Sequence, residues 1–467
     1  MKNLFLCVLT VFAFQISFSQ KSIFIKGKAP SYKGERIKLC LYSDMITYRE
    51  VKIAESIIDT TGKFTLTAPV KDISYARLYI GFANGDLYIE PGKSYDLFID
   101  SAAGQMDERT NLMMKDYKLS MRFNNLQDTS INYLIYNFDK LFDDFTYEHF
   151  NDIYKKRNRT LIDSLMADVS GRFSPIRNTF FKDYINYRIA SLVQAAFGMN
   201  RYKLCKKYIL NKPLLLNNPE YMEFFNEMFS MSLYSGIQNF SFYELAEAIN
   251  SNEGYFKITD MLGKDSLLRN EALRDLILIK GLGEIYNDNN IKPESVILLL
   301  EQISKQSKFE KHRIIASNML WSLKRFEKGT VAPEFTLKDR SGNMISLSDF
   351  KGKYIFLMFW NTLCSKCLLE MDVMNKMTDK YNSNISFVNI ATDLNITRYQ
   401  HFIQSTAFSW QFLYFDRKFD ILDDYAVKTI PFFILIDRKG NFFKYPAPAP
   451  SENLDGFFQK LLQDEKK

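Results

Sequence analysis

The sequence predicts a multidomain chain: an N-terminal all-β sandwich, a central all-α region and a C-terminal α/β domain. Three observations predict this order. Between 21 and 115, short runs alternate apolar and polar residues, with turn-forming residues between them, as half-buried strands do. Between 116 and 328, apolar residues return every three or four positions, the period of a helix with one buried face. From 329 to 467, strand-like runs alternate with helical stretches and close on an antiparallel pair, which suits a central sheet covered by helices on both faces.

Residues 1–20 read as a secretory leader. Lys2 gives the positive start, an apolar run spans 4–14, and Ser17-Phe18-Ser19 offers a small-x-small cleavage site. The run is shorter than the ~20 apolar residues a membrane anchor needs, and Cys7 lies inside it, too early to carry a lipid. The expected location is the periplasm or cell envelope. At 467 residues the chain is too long for one core. Hydrophobic residues at 46% and charged residues at 25% are those of a globular protein, not a disordered one. The net charge of +7 is spread along the chain without a basic stripe, so nucleic acid is not an expected partner. Export would place Cys40, Cys205, Cys364 and Cys367 in an oxidising space, yet four cysteines in so long a chain make no disulfide scaffold.

In the β part, runs at 22–27, 36–42 and 62–67 alternate, and Thr61-Gly62, Asn84-Gly85-Asp86 and Pro91-Gly92 mark turns. Strict alternation puts Cys40 on the face opposite Leu39 and Leu41, partly exposed. In the helical part, Ile131, Leu134, Ile135, Phe138, Leu141, Phe142 and Phe145 form one stripe. Phe181, Ile185, Ile189, Leu192, Val193 and Ala196 form another, and Pro293 opens a helix at its first turn. These stripes read as core packing rather than a peptide groove, and no repeat period is present. Cys205 shares an apolar face with Tyr202, Tyr208 and Ile209 and reads as a buried, inert thiol.

The last part should open with a hairpin over 335–347. A buried strand over 354–358 follows, then a helix whose apolar face carries Cys367, Leu368, Met371, Met374, Met377 and Tyr381. Next come a strand over 385–390, helices near 397–405 and 418–425, the strand Phe432–Ile436, a turn, a strand over 441–445 and a helix from Ser451. Pro446 to Pro450 alternate with alanine and form a stiff loop. Cys364-Ser365-Lys366-Cys367 thus sits where a strand passes into a helix. The first sulfur lies at the helix N-terminus, where unpaired N–H groups favour an anion. That placement lowers a thiol from about 8.5 toward roughly 7, and Lys366 pushes the same way.

Four landmarks in order are Ala332-Pro333-Glu334-Phe335, Leu347-Ser348-Asp349-Phe350-Lys351-Gly352-Lys353, Trp360 with Cys364-x-x-Cys367, and Thr429-Ile430-Pro431-Phe432 leading into the strand. On these the stretch from Ala332 onward resembles the thioredoxin-like domains of TlpA/ResA-type thiol-disulfide oxidoreductases. Asp59-Thr60-Thr61-Gly62-Lys63-Phe64 and Pro91-Gly92 resemble the β-domain that precedes such domains in exported Bacteroidetes proteins. The resemblance implies a protein-disulfide reductase without a cofactor, fed by a membrane thiol carrier and acting on protein disulfides. Cys364, expected to be the more accessible sulfur, would attack, and Cys367 would resolve the mixed disulfide. Pro431 would be cis and face the pair, turning the backbone of Ile430 toward an extended substrate segment. Trp360 would pack near the pair and contact substrate, with simple core packing the alternative reading.

The chain departs from that pattern in places. Leu363 stands where tryptophan is usual, and Lys366 where proline or histidine is usual. Met358 occupies the position of a buried carboxylate in thioredoxins. Glu370, three residues after Cys367, matches an acidic position of the family and is a candidate for tuning the pair alongside Lys366. A peroxiredoxin shares the opening segment, but its Pro-x-x-x-Thr-x-x-Cys site would need other residues than Leu357 and Asn361. A zinc site would need two more ligands, and His149, His312 and His401 are scattered; no metal is expected. An inert structural disulfide stays open, although its short loop would constrain little of the unfolded chain. A second reading also stays open, an envelope scaffold whose thioredoxin-like domain mainly holds a partner. Oligomeric state is not legible.

Overall fold

The structure, a computed structural model, describes residues 21–100, 117–197, 201–235 and 241–465. The expected leader lies outside them. Nine strands open the described chain: β1 Lys21–Lys28, β2 Arg36–Tyr42, β3 Glu50–Ile57, β4 Lys63–Val70, β5 Ser74–Ile80, β6 Ala83–Ile89, β7 Ser94–Asp100, β8 Tyr117–Lys118 and β9 Ser120–Phe123. They form two sheets, β4-β1-β7-β9 and β3-β2-β5-β6-β8. Ile23, Ile25, Leu66 and Leu97 of one meet Leu39, Leu78 and Leu87 of the other in a common core. Gly27 lets β1 and β7 run parallel at close approach, since a Cβ there would lie 2.5 Å from the Leu97 carbonyl oxygen.

Two expectations are corrected here. β9 pairs with β7 through Leu97 and Phe123, so the sheet draws in residues past 115. Cys40 is 7% exposed although it stays on the face opposite Leu39, paired with Arg77 of β5, because that face is itself covered: Lys38, two residues before it, is 11% exposed and meets Asp420 of the third part. Burial pushes its thiol up to about 11.

Helices fill the span from Ile131–Glu148 to Glu310–Lys324, with Pro293 in the first turn of Pro293–Gln306. The predicted stripes are core: Phe138, Phe181 and Ile131 are fully buried. Cys205 is buried and unpaired, and its thiol too is pushed up to about 11 by burial.

Buried carboxyls sit within this packing. Glu220, on helix Pro219–Met228, lies 3.5 Å from Arg188, and its Oε2 has no hydrogen-bond partner among the described residues. Burial pushes Glu220 up to about 7, and Asp139, which accepts from Tyr184 Oη at 2.9 Å, up to about 6. An unfolded glutamate titrates near 4.3. The folded chain therefore holds more protons between about 4.3 and 7, and stability falls as pH rises through that window. Glu220→Gln should leave thermal stability nearly unchanged at pH 4.5. At pH 8 it should raise stability by about 1–3 kcal/mol; equal stability of the two chains at pH 8 would contradict the assignment.

The third part contains β10 Thr336–Asp339, β11 Met344–Ser346, β12 Tyr354–Trp360, β13 Ile385–Ala391, β14 Gln411–Tyr414, β15 Phe432–Ile436 and β16 Phe442–Lys444. The sheet order is β11-β10-β14-β13-β12-β15-β16. β14 was not expected, because four residues are too few to show a period. The helix near 418–425 is shortened to Asp420–Asp424, after Asp416 and Arg417 at φ 50° and 55°. The final helix starts at Leu454 rather than Ser451, since Asn453 at φ 61° turns the chain immediately before it. β12, β13 and β14 run parallel, so their C-terminal ends share one edge. β15 runs antiparallel to β12 and starts at that edge. Open α/β sheets carry their chemistry there.

The three parts touch. Lys38 Nζ meets Asp420 at 2.6 Å and Phe82 packs edge-on to Phe419. Asn318 Nδ2 donates to Asp44 at 2.8 Å, and Phe326 stacks on Tyr445 at 3.9 Å.

Candidate active site

β12 is buried at every position, Tyr354 to Trp360, as its unbroken apolar run requires. The chain leaves it through Asn361, Thr362 and Leu363. Asn361 Oδ1 accepts from Leu363 N at 3.0 Å, and Asn361 O accepts from Cys364 N at 3.2 Å. These bonds turn the backbone into helix Ser365–Tyr381, with Cys364 as its N-cap. Cys364 and Cys367 are joined by a disulfide, and Cys364 Sγ accepts from Cys367 N at 3.1 Å. The N-terminal sulfur thus already occupies the anion position of the helix.

Both sulfurs are 0% exposed, which corrects the expectation that Cys364 is the accessible one. Trp360 is also 0% exposed and packs on Phe402 and Phe412, so it is core and cannot touch a substrate in this state. Lys366 is exposed in the first turn of the helix. The Ile430–Pro431 peptide is cis. Phe432, the next residue, pairs with Phe359, which brings Pro431 to the end of β12 from which the cysteine loop departs. Ile430 is buried and Pro431 half-buried.

Glu370 is 4% exposed, and both of its oxygens are taken by one residue. Ser451 Oγ donates to Oε1 at 2.7 Å and Ser451 N to Oε2 at 2.9 Å. Ala447 N donates to Phe433 O at 2.9 Å. The loop of alternating Pro and Ala therefore runs from the strand beside Pro431 to the helix one turn beyond Cys367, and Ala447 lies in the same apolar cluster as both cysteines. Glu370 latches that loop. Ser451→Ala should speed reduction of the disulfide by a small phosphine about three- to tenfold, through loss of one charged hydrogen bond. An unchanged rate would mean that the loop does not control access.

Sequence reasoning missed Asp393, two residues past β13 and 0% exposed. It accepts from Thr362 N at 3.1 Å, from Thr362 Oγ1, and from Arg398 Nε at 3.3 Å. The signal was a lone acid closing a strand, which no local pattern separates from a solvated turn. Among the described residues no cluster of His, Cys, Asp or Glu is arranged to hold a metal ion, and no helix is long and apolar enough to cross a membrane.

Residues 328–442 match the AhpC/TSA family. Thiol-disulfide oxidoreductase ResA of Bacillus cereus is 30% identical over 139 residues, which is 29% of this chain and 80% of that protein. Through its C-terminal part, the chain belongs to the ResA thiol-disulfide oxidoreductase family. The ResA protein of Bacillus subtilis is 28% identical over 137 residues, 29% of this chain and 76% of that one. The crystal structure of the thioredoxin domain of a thiol-disulfide oxidoreductase from Bacteroides vulgatus is 26% identical and covers 28% of this chain and 96% of that one, with a TM-score of 0.27. The activity class of the chain is thiol–disulfide oxidoreduction, and its Cys-x-x-Cys pair at 364–367 lies within the matched stretch.

Proposed function

We propose that the protein is exported and reduces disulfides of polypeptides in the cell envelope, with Cys364 as nucleophile and Cys367 as resolving thiol. The observation that carries this is the sulfur pair itself: one turn apart, at a helix N-terminus, with the Cys367 N–H aimed at Cys364 Sγ. In the reduced chain the Cys364 thiolate attacks one sulfur of a substrate disulfide and expels the other as a thiolate. The mixed disulfide is then attacked at Cys364 Sγ by Cys367, and the second substrate thiolate leaves. Two electrons pass to the substrate, and the protein ends as the disulfide. A membrane thiol carrier returns two electrons by the same exchange in reverse.

Ile430 and Pro431 offer backbone to an extended substrate segment beside the pair. Lys366 favours the Cys364 thiolate, which makes the pair a stronger oxidant than thioredoxin. Glu370 tunes the pair by holding the 446–450 loop. Equilibration with glutathione buffers tests the direction of electron flow. With the Lys366 contribution a reductant should lie somewhat above about −270 mV, the value of thioredoxin, and a value near about −120 mV would make the protein an oxidant.

The burial of both sulfurs favours a second reading, a scaffold whose thioredoxin-like domain holds a partner and turns over weakly. Multiple turnover on a disulfide substrate separates the two.

A further inference from the structure

Charged groups lie on the redox helix and against Thr362, two residues before Cys364. Lys366 lies on its own helix, exposed to solvent. Glu370, one turn on, is occupied by Ser451. From the neighbouring strand end comes Asp393, wholly buried, and from helix Ile396–Ser405 comes Arg398, whose side chain is 31% exposed. Arg417, after β14, donates to Leu394 O at 3.2 Å, beside Asp393. Asp393 and Arg398 are bonded to each other and both to Thr362: Arg398 Nε donates to Thr362 Oγ1 at 2.9 Å, and Thr362 N donates to Asp393 at 3.1 Å. Thr362 stands two residues before Cys364, so at most about 7 Å separates their Cα atoms.

We infer that Asp393 and Arg398 are positioning residues that fix the cysteine loop through Thr362 and set, with opposite signs, how readily Cys364 gives up its proton. The buried carboxylate opposes a second negative charge at Cys364 Sγ, and the guanidinium offsets it. Burial raises the Asp393 carboxyl, while the Thr362 donors and Arg398 hold it down. A purely structural clamp would make every disruption act the same way. A charge pair makes the two removals act in opposite directions. The inference rests on Cys364 being the attacking sulfur.

The test uses the full chain carrying Cys367→Ser, reduced, with iodoacetamide alkylation of the Cys364 peptide followed by mass spectrometry from pH 4 to 10. Reading that peptide alone keeps Cys40 and Cys205 out of the result. Asp393→Asn keeps an acceptor for Thr362 and should lower the alkylation midpoint by about 0.5–1 unit. Arg398→Met should raise it by a similar amount, and Arg398→Lys should bring it back toward the parent. Shifts of the same sign in the Asp393→Asn and Arg398→Met chains, or shifts below about 0.2 unit in both, overturn the charge-pair role. Should Asp393→Asn fail to fold by circular dichroism, the two Arg398 variants decide the question. A parent midpoint near about 8.5, with free-cysteine reactivity, would instead overturn the redox reading.

Discussion

Serine in place of Cys364 should abolish reduction of insulin disulfides by the full chain, with a loss of at least about a thousandfold in turnover. The hydroxyl stays protonated at neutral pH, where a thiol at the helix N-cap ionises readily, and it cannot form the mixed disulfide. Cys367→Ser should behave differently. Attack by Cys364 remains, but nothing resolves the product, so turnover stops after one event. If the Cys364→Ser chain kept more than about a tenth of parental activity, the chemistry would belong to other thiols. Among the described residues those are Cys367, freed of its partner and 0% exposed, and Cys40 and Cys205, both buried and with thiols raised to about 11, which makes them poor nucleophiles.

The largest stability loss is expected far from the sulfurs. Asp275, on helix Glu271–Ile285, is 1% exposed. Its carboxylate accepts from Tyr255 Oη at 2.8 Å and Ser307 Oγ at 2.7 Å, and meets His312 Nδ1 at 2.9 Å. Tyr255 opens helix Tyr255–Leu262, Ser307 caps the end of helix Pro293–Gln306, and His312 lies in the first turn of helix Glu310–Lys324. Asp275→Ala leaves three buried polar groups without their partner and should cost about 3–5 kcal/mol. Asp275→Asn keeps an acceptor and should cost less. Because the chain has several cores, the quantity to compare is the midpoint of the helical transition in urea, followed by circular dichroism. A midpoint lowered by the equivalent of less than about 1 kcal/mol in Asp275→Ala would show that the network is dispensable.

What the sequence made legible follows from how local the cause is. The Cys364–Cys367 pair, the strand before it and the helix after it depend on neighbours in sequence, and 2.0 and 3.6 periods report them directly. Pro431 was legible through its motif. Cys40 keeps the face that alternation gives it, paired with Arg77, but that face is covered in the folded chain, where Lys38 meets Asp420, and a local pattern carries no sign of a partner 382 residues away. For Trp360 a substrate contact and plain core packing both stayed open, and its place at the last residue of a wholly buried strand decides for core. Asp393 became visible only when the β12–β13 register set Trp360 beside Ala391 and so brought the loop after β13 to Thr362. Glu370 was singled out, yet its partner Ser451 lies 81 residues away, and only the folded chain shows that the carboxylate is already engaged.

The pairing of attacking and resolving sulfurs is tested most directly by trapping. Reduced Cys367→Ser chain is mixed at neutral pH with an unfolded polypeptide carrying one disulfide, quenched with acid and digested. The predicted result is a mixed disulfide on the peptide containing Cys364, absent from the Cys364→Ser chain. No adduct at Cys364, or an adduct confined to Cys40 or Cys205, would contradict it.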